Sequence, residues 1–499
     1  MAVHQYYLGI DQGTTGTTAL IIDEQWNVVS SGYQEHSQIY PQPGWVEHDP
    51  LEIWEAVKTA ITAALHSKNI EPKRLRCIGI ANQGETVMLW DRRTGAPVYN
   101  AIVWQDRRTA KFADTLKENY QDLIRTKTGL MIDAYFSATK IKWILDHEKG
   151  VRERAAAGEI VAGTLDSWLI WKLTGGRVHC TDFSTASRTM LLNIHTGQWD
   201  RELLELLDIP PNILPEITDS ATVMGYTAAE AFFGVRVPIA GSAVDQQAAL
   251  FGQACFQPGT IKTTYGTGCF MLMNTGERIA HSPSGLLTTV AWGLNRKLTF
   301  ALDGGVYIAG AAIQWLRDGL KIIDRASETE ALALSVPDCG GVYFVPAFVG
   351  LAAPHWDQYA RGMMVGITGG TTRAHVVRAT LESIAYQVND NLEVMKVDSG
   401  MPIAVMRVDG GAVGNNFLMQ FQADILGIPV DVPVITETTA LGAVYLSALG
   451  LGDFGGMDEI AANWKLKRRF EPQMGVDERE NRLYTWRRAV ERSKAWIEE

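Results

Sequence analysis

The chain has 499 residues, too many for one hydrophobic core, so two large domains are the expectation. It is 46% hydrophobic and 20% charged, as ordinary globular proteins are, and its formal charge of −11 excludes a nucleic-acid binder, since no basic stripe offsets it. The five cysteines, Cys77, Cys180, Cys255, Cys269 and Cys339, lack the paired spacing of a metal site and predict buried free thiols in a reducing, cytoplasmic setting.

Residues 6–10 read as a buried strand, and 19–23 with 28–32 as a hairpin around 24–27. The run Gly9-Ile10-Asp11-Gln12-Gly13-Thr14-Thr15 therefore sits in a turn between two strands. Ile53, Trp54, Val57, Ile61 and Leu65 have helical spacing, which predicts a helix over 51–67 started by Asp49-Pro50. Another buried strand, 75–81, leads into Asn82-Gln83-Gly84-Glu85-Thr86. A helical pattern covers 106–117 and a strand 160–162. Strand signals resume at 236–240, 260–264 and 270–273, enclosing a second glycine loop, Tyr265-Gly266-Thr267-Gly268. A late strand over 404–408 ends in a third, Asp409-Gly410-Gly411-Ala412.

The second half thus repeats the order of the first. Two related α/β domains are expected, 1–252 and 253–499, joined near 252–259. The N-terminus enters a strand pattern within five residues, so no secretory leader is expected. The apolar stretch 440–452 is too short to cross a bilayer, so integral membrane association is not expected either.

Glycines beside threonines let backbone N–H groups and hydroxyls close around phosphate oxygens. An Asp at a strand end, here Asp11, can hold Mg²⁺ through its waters. Three such loops, spread from residue 9 to residue 412, predict one nucleotide gripped between two lobes. No Gly-Lys dipeptide occurs, which excludes a Walker-type phosphate loop. Gly450-Leu451-Gly452-Asp453-Phe454-Gly455 follows a helical pattern instead of a strand, and reads as a helix-ending loop. Asp245 follows a strand and the small-residue turn Gly241-Ser242-Ala243-Val244. The residues alone leave it either facing a cleft or capping the helix that starts at Gln246.

With these residues in hand, the sequence resembles the FGGY carbohydrate kinases, essentially from end to end. The resemblance is carried by Pro43-Gly44-Trp45-Val46-Glu47-His48-Asp49, by 99–105, by Asp245-Gln246-Gln247-Ala248-Ala249-Leu250-Phe251-Gly252, and by 265–276, 311–318 and 409–420. The two signatures of that family fall over 135–147 and 362–382. It implies the two-domain actin-like, ribonuclease H-like α/β fold shared with hexokinase and the heat-shock ATPases. The polyol would lie in the cleft and ATP mainly on the C-terminal domain. The activity implied is ATP-dependent phosphorylation of a small polyol in the cytoplasm by a homo-oligomer, a dimer or tetramer. Glycerol, giving sn-glycerol 3-phosphate, is the leading substrate. A C4 or C5 polyol or ketose is the alternative, and a non-catalytic nucleotide-binding regulator the third reading.

Carried over residue by residue, the resemblance makes Asp245 the catalytic base. Position 84, here Gly84, together with Glu85, Trp104, Tyr135, Asp245, Gln246 and Phe270, would line the polyol. Thr14, Thr15, Gly266, Thr267, Gly310, Gln314, Gly411 and Asn415 would line the nucleotide, and Asp11 would organise Mg²⁺. Five positions depart from the pattern of the glycerol-phosphorylating members. Gly84 stands where they carry an Arg that binds two substrate hydroxyls. Thr18 and Gly369 also replace arginines, Asp303 replaces a Glu, and Val244 replaces a Gly. From Gly84 the expectation is a roomier pocket, in which Glu85 lacks a cationic neighbour and a longer polyol finds space.

Overall fold

The computed structural model describes residues 5–498. Its first sheet is built from β1 (Tyr6–Gln12), β2 (Gly16–Asp23), β3 (Val28–Glu35), β4 (Leu75–Asn82), β5 (Ala221–Tyr226) and β6 (Pro238–Val244), in the spatial order β5-β6-β4-β1-β2-β3. The three leading strands form an antiparallel meander, and β4 and β6 add in parallel beside β1. Helices cover both faces, which is why β1 and β4 read as almost continuous apolar runs.

The second sheet repeats this plan with β7 (Ile261–Tyr265), β8 (Cys269–Gly276), β9 (Leu287–Leu294), β10 (Lys297–Val306), β11 (Met406–Asp409), β12 (Val430–Pro433) and β13 (Leu466–Phe470). Its order is β9-β10-β8-β7-β11-β12-β13. Here β7, β8 and β10 are the meander, while β11 and β12 run parallel to β7. Corresponding loops therefore occupy corresponding places. The Asp11 and Gly266 loops join the first two strands of each sheet, and the Gly84 and Gly410 loops follow β4 and β11, the strands that pair in parallel with β1 and β7. All lie at the carboxyl ends of parallel strands, where open α/β sheets present their ligands.

Helix α1 (Pro50–His66) forms where its apolar spacing predicted, with the Asp49 carboxylate accepting from Leu51 N. The pattern expected over 106–117 becomes a helix only at Ala110–Thr128. The residues before it are diverted, because the Asp106 carboxylate accepts from Val46 N at 2.7 Å and pairs with Arg108 at 2.8 Å. Further helices are α2 (Asp245–Gly252), α3 (Gly310–Asp318), α4 (Asn416–Leu426) and α5 (Thr438–Leu451).

Although α5 follows the second sheet in the chain, it packs across β4, β6, β5 and β1 and against α2. The approach is backbone to backbone. A Cβ on Gly79 would stand 1.9 Å from Ala443 O, one on Gly9 2.4 Å from Ala440 O, and one on Gly241 2.4 Å from Ser447 N. The helix ends on Gly452 in the left-handed region (φ +79°), so Gly450 to Gly455 is a helix-ending loop, as expected. All five cysteines are buried and free. Among the described residues no helix is long and apolar enough to cross a membrane.

Candidate active site

Four carboxylates meet where the two sheets turn their loop ends toward each other. Asp245 is the first residue after β6 and opens α2; its Oδ1 accepts from Gln246 N at 2.7 Å. Burial, then the nearby Glu85 charge, pushes its carboxyl up to about 6, while Lys262 and Arg188 pull the other way. Asp11, near the end of β1, is held well above the usual carboxylate range by burial, by Asp245 and by Glu437. Glu437, just before α5, is raised by burial and by Asp409. Asp409 itself is fixed by Thr438 Oγ1 at 2.6 Å and Gln253 Nε2 at 2.9 Å.

Two buried cations balance this charge, and sequence reasoning missed both. Lys262, fully buried on β7, lies among Asp409, Asp245 and Asp303 and donates to Gln246 Oε1 and, at 2.9 Å, to Thr264 Oγ1. Burial lowers its ammonium from the ordinary lysine value. Arg188 donates from Nε to Glu85 Oε1 at 2.6 Å, and its Nη1 stands 2.9 Å from Asp303 Oδ2. The sequence carries little signal for either: Lys262 is a lone basic residue in the strand pattern over 260–264, and no local pattern marks Arg188.

Arg188 corrects the expectation for Glu85, which does have a cationic neighbour. The roomier pocket is corrected as well. A Cβ on Gly84 would meet Val244 Cγ2 at 2.7 Å and Arg188 Cγ at 3.6 Å, so the space beside Gly84 is filled. Asp303, shorter than the Glu of the pattern, reaches Arg188. Thr18 pairs with Asp11 in the β1–β2 register, and Gly369 lies on an exposed turn with nothing within 4 Å of a Cβ.

Of the predicted polyol residues, Glu85 is buried, and Trp104, Tyr135, Gln246 and Phe270 are half-buried. Trp104 and Tyr135 meet edge to face at 5.7 Å between ring centroids. The Trp104 indole N–H donates to Thr14 Oγ1 at 2.9 Å, tying this aromatic wall to the first glycine loop. That loop is stitched to the Gly84 loop, since Gln83 N donates to Gln12 O at 2.8 Å and Gln83 Nε2 to Gly13 O at 3.2 Å. Phe270 lies beside Gly305 on the neighbouring strand.

On the other side of the cleft, Gly310 N donates to Gly266 O at 3.0 Å and Ala309 N to Thr267 O at 2.9 Å, so the second loop and the start of α3 form one shelf. Gly410 is pressed on Tyr265, which brings the third loop against the second. Thr15, Gly266, Thr267, Gln314 and Gly411 are exposed. Asn415 spends its side chain capping α4 at Leu418 N (3.0 Å) and contacting Thr329 Oγ1 (3.1 Å).

Among the described residues no group of three or more His, Cys, Asp or Glu is placed to chelate a metal directly. The Asp11 carboxylate, however, takes no hydrogen bond or ion pair among them and faces other carboxylates. That suits a hydrated Mg²⁺ held by one carboxylate and the phosphates of a nucleotide, the usual way Mg²⁺ is bound.

Known proteins resemble this chain over almost its whole length. The profile of the FGGY family of carbohydrate kinases, N-terminal domain, matches residues 6–252, and that of its C-terminal domain matches residues 261–451. The chain is 62% identical over 493 residues to glycerol kinase 2 of Thermotoga maritima, covering 99% of each. It is 57% identical over 496 residues to the glycerol kinase of Caldanaerobacter subterraneus subsp. tengcongensis, covering 99% of this chain and 100% of that one. A crystal structure of the Plasmodium falciparum glycerol kinase with ADP superposes with a TM-score of 0.93 at 37% identity, covering 99% of both chains.

Proposed function

The chain belongs to the FGGY family of carbohydrate kinases, and from that premise we propose that it transfers the γ-phosphoryl group of ATP to a terminal hydroxyl of glycerol, giving sn-glycerol 3-phosphate and ADP. The observation that carries this reading is the setting of Asp245, a carboxylate raised to about 6 between a carboxylate–guanidinium pocket and a loop-lined cleft. Near neutral pH it is ionised, yet basic enough to accept a proton as the hydroxyl oxygen attacks. The oxygen forms a bond to the γ-phosphorus, the bond to the β–γ bridging oxygen breaks, and the hydroxyl proton passes to Asp245.

Lys262 fixes the Gln246 amide beside the base. Glu85 and Tyr135 offer polar atoms to the hydroxyls, while Trp104 and Phe270 pack the carbon edge of a three-carbon triol. Thr14, Thr15, Gly266 and Thr267 face the phosphates, and Gly310, Gln314, Gly411 and Asn415 lie toward the nucleoside. Mg²⁺ at Asp11 would neutralise part of the charge on the β- and γ-phosphates.

The test is polyol-dependent ADP release with glycerol, dihydroxyacetone, erythritol, threitol, xylitol and ribulose. Glycerol is expected to give the highest kcat/KM. A higher value with a four- or five-carbon compound would replace it as substrate, and nucleotide binding without release would replace the enzyme reading by that of a regulator.

A further inference from the structure

Val244 ends β6 and Gly84 lies in the loop just after the neighbouring β4, and each constrains the other. The 2.7 Å between a Cβ at position 84 and Val244 Cγ2 is far inside the contact distance of two carbons. Valine is stiff about χ1 and does not swing away freely. On the same side, Arg188 runs past Gly84 with only 5% of its side chain exposed. Its Nε is committed to Glu85. Its Nη1 is ion-paired with Asp303 Oδ2 at 2.9 Å. The guanidinium lies 5.8 Å from the Tyr135 ring centroid, and its charge reaches Asp245. Held between Glu85 and Asp303, the guanidinium keeps further N–H groups that can donate to a substrate hydroxyl placed between Glu85, Tyr135 and Asp245.

We propose that Arg188 is the cation that binds the polyol hydroxyls in this chain, and that Gly84 and Val244 are a matched pair that leaves this task to it. The inference rests on the polyol-kinase reading above. Glu85 takes Nε and Asp303 takes Nη1, and the N–H groups they leave face the substrate. A longer side chain at position 84 and the valine at 244 exclude each other, so the binding cation comes from residue 188.

Arg188→Lys keeps the charge and loses the fork. It is expected to raise the KM for the polyol about tenfold or more, with kcat within about threefold and the KM for ATP unchanged. The double variant Gly84→Arg/Val244→Gly places a second guanidinium in the same space. With Arg188 intact it is expected to bring no gain in polyol KM, whereas in the Arg188→Lys background it restores most of the loss. Two results overturn the proposal. One is a wild-type polyol KM in Arg188→Lys. The other is a KM lowered about tenfold by the double variant with Arg188 present, a result that does not depend on Arg188→Lys folding. A wild-type enzyme that phosphorylates no polyol would instead refute the kinase reading, before any variant is made.

Discussion

Glycine serves two opposite purposes in this molecule, at the seam between α5 and the first sheet and in the three loops at the cleft. At the seam, Gly9, Gly79 and Gly241 leave no room for a methyl group, because the opposing atoms are backbone. In the loops, each anchored glycine is paired with an open one. Gly16 would meet Tyr33 Oη at 2.6 Å, Gly268 would meet Val306 O at 2.4 Å, and Gly410 would meet Tyr265 O at 2.4 Å. A Cβ on Gly13 or Gly266 would make only ordinary contacts, at 3.4 and 3.8 Å, and one on Gly411 would meet nothing within 4 Å. The protein's own packing thus accounts for the seam and the anchors, and leaves a ligand to account for the open glycines.

Gly79→Ala should have the largest effect. A methyl group 1.9 Å from Ala443 O forces α5 off the sheet, and overpacking against rigid backbone should cost more than about 3 kcal/mol. Soluble protein that melts at the wild-type temperature would mean that the seam yields, and the contrast with the loops would collapse.

Asp245→Asn lies between the two regions and should separate stability from catalysis. Turnover should fall by about 10²–10⁴ with little change in glycerol binding. The folded-state value near 6 lies above that of an exposed aspartate, so the ionised carboxylate destabilises the fold at pH 7, and this penalty fades as pH falls through 6. The amide removes it, so the variant should melt higher than wild type at pH 7, and a lower melting temperature would count against the account. In the wild type, kcat/KM should drop about tenfold per pH unit below 6 and be flat just above 7, because the base must be ionised. An acid limb near pH 4 would assign the base to another group.

Gly411→Ala should have the smallest effect and is the sharpest test of the comparison. Melting should be unchanged, while the KM for ATP should rise roughly fivefold, the equivalent of about 1 kcal/mol. An unchanged KM would leave the openness of Gly411 without a purpose.

Much of the fold was legible because buried strands and Gly/Thr turns alternate in the same order in each half, and the three loops fell where those turns predicted. The helix starting at Ala110 was misplaced because Asp106 is taken by Val46, a partner 60 residues away. Carboxylates and aromatics of the candidate site were legible as types beside loops. Arg188 was not, because its role depends on Glu85, 103 residues distant, and an isolated arginine in sequence reads as a surface charge. The pairing of Gly84 with Val244 was hidden for a similar reason. Each looked like a separate departure until the fold set Val244, at the end of β6, against the loop that follows β4.

The seam also fixes a sequence of events during synthesis. The strands of the first sheet are complete by Val244, but the helix that covers their glycine face begins at Thr438. At about 5–20 residues per second, a ribosome needs roughly 10–40 s to supply it. For that interval the emerging half displays a bare, glycine-lined face that its own residues do not cover. Docking of α5 therefore completes the N-terminal half only after the C-terminal half has been made, and a chain ended at Gly252 would retain that uncovered face permanently.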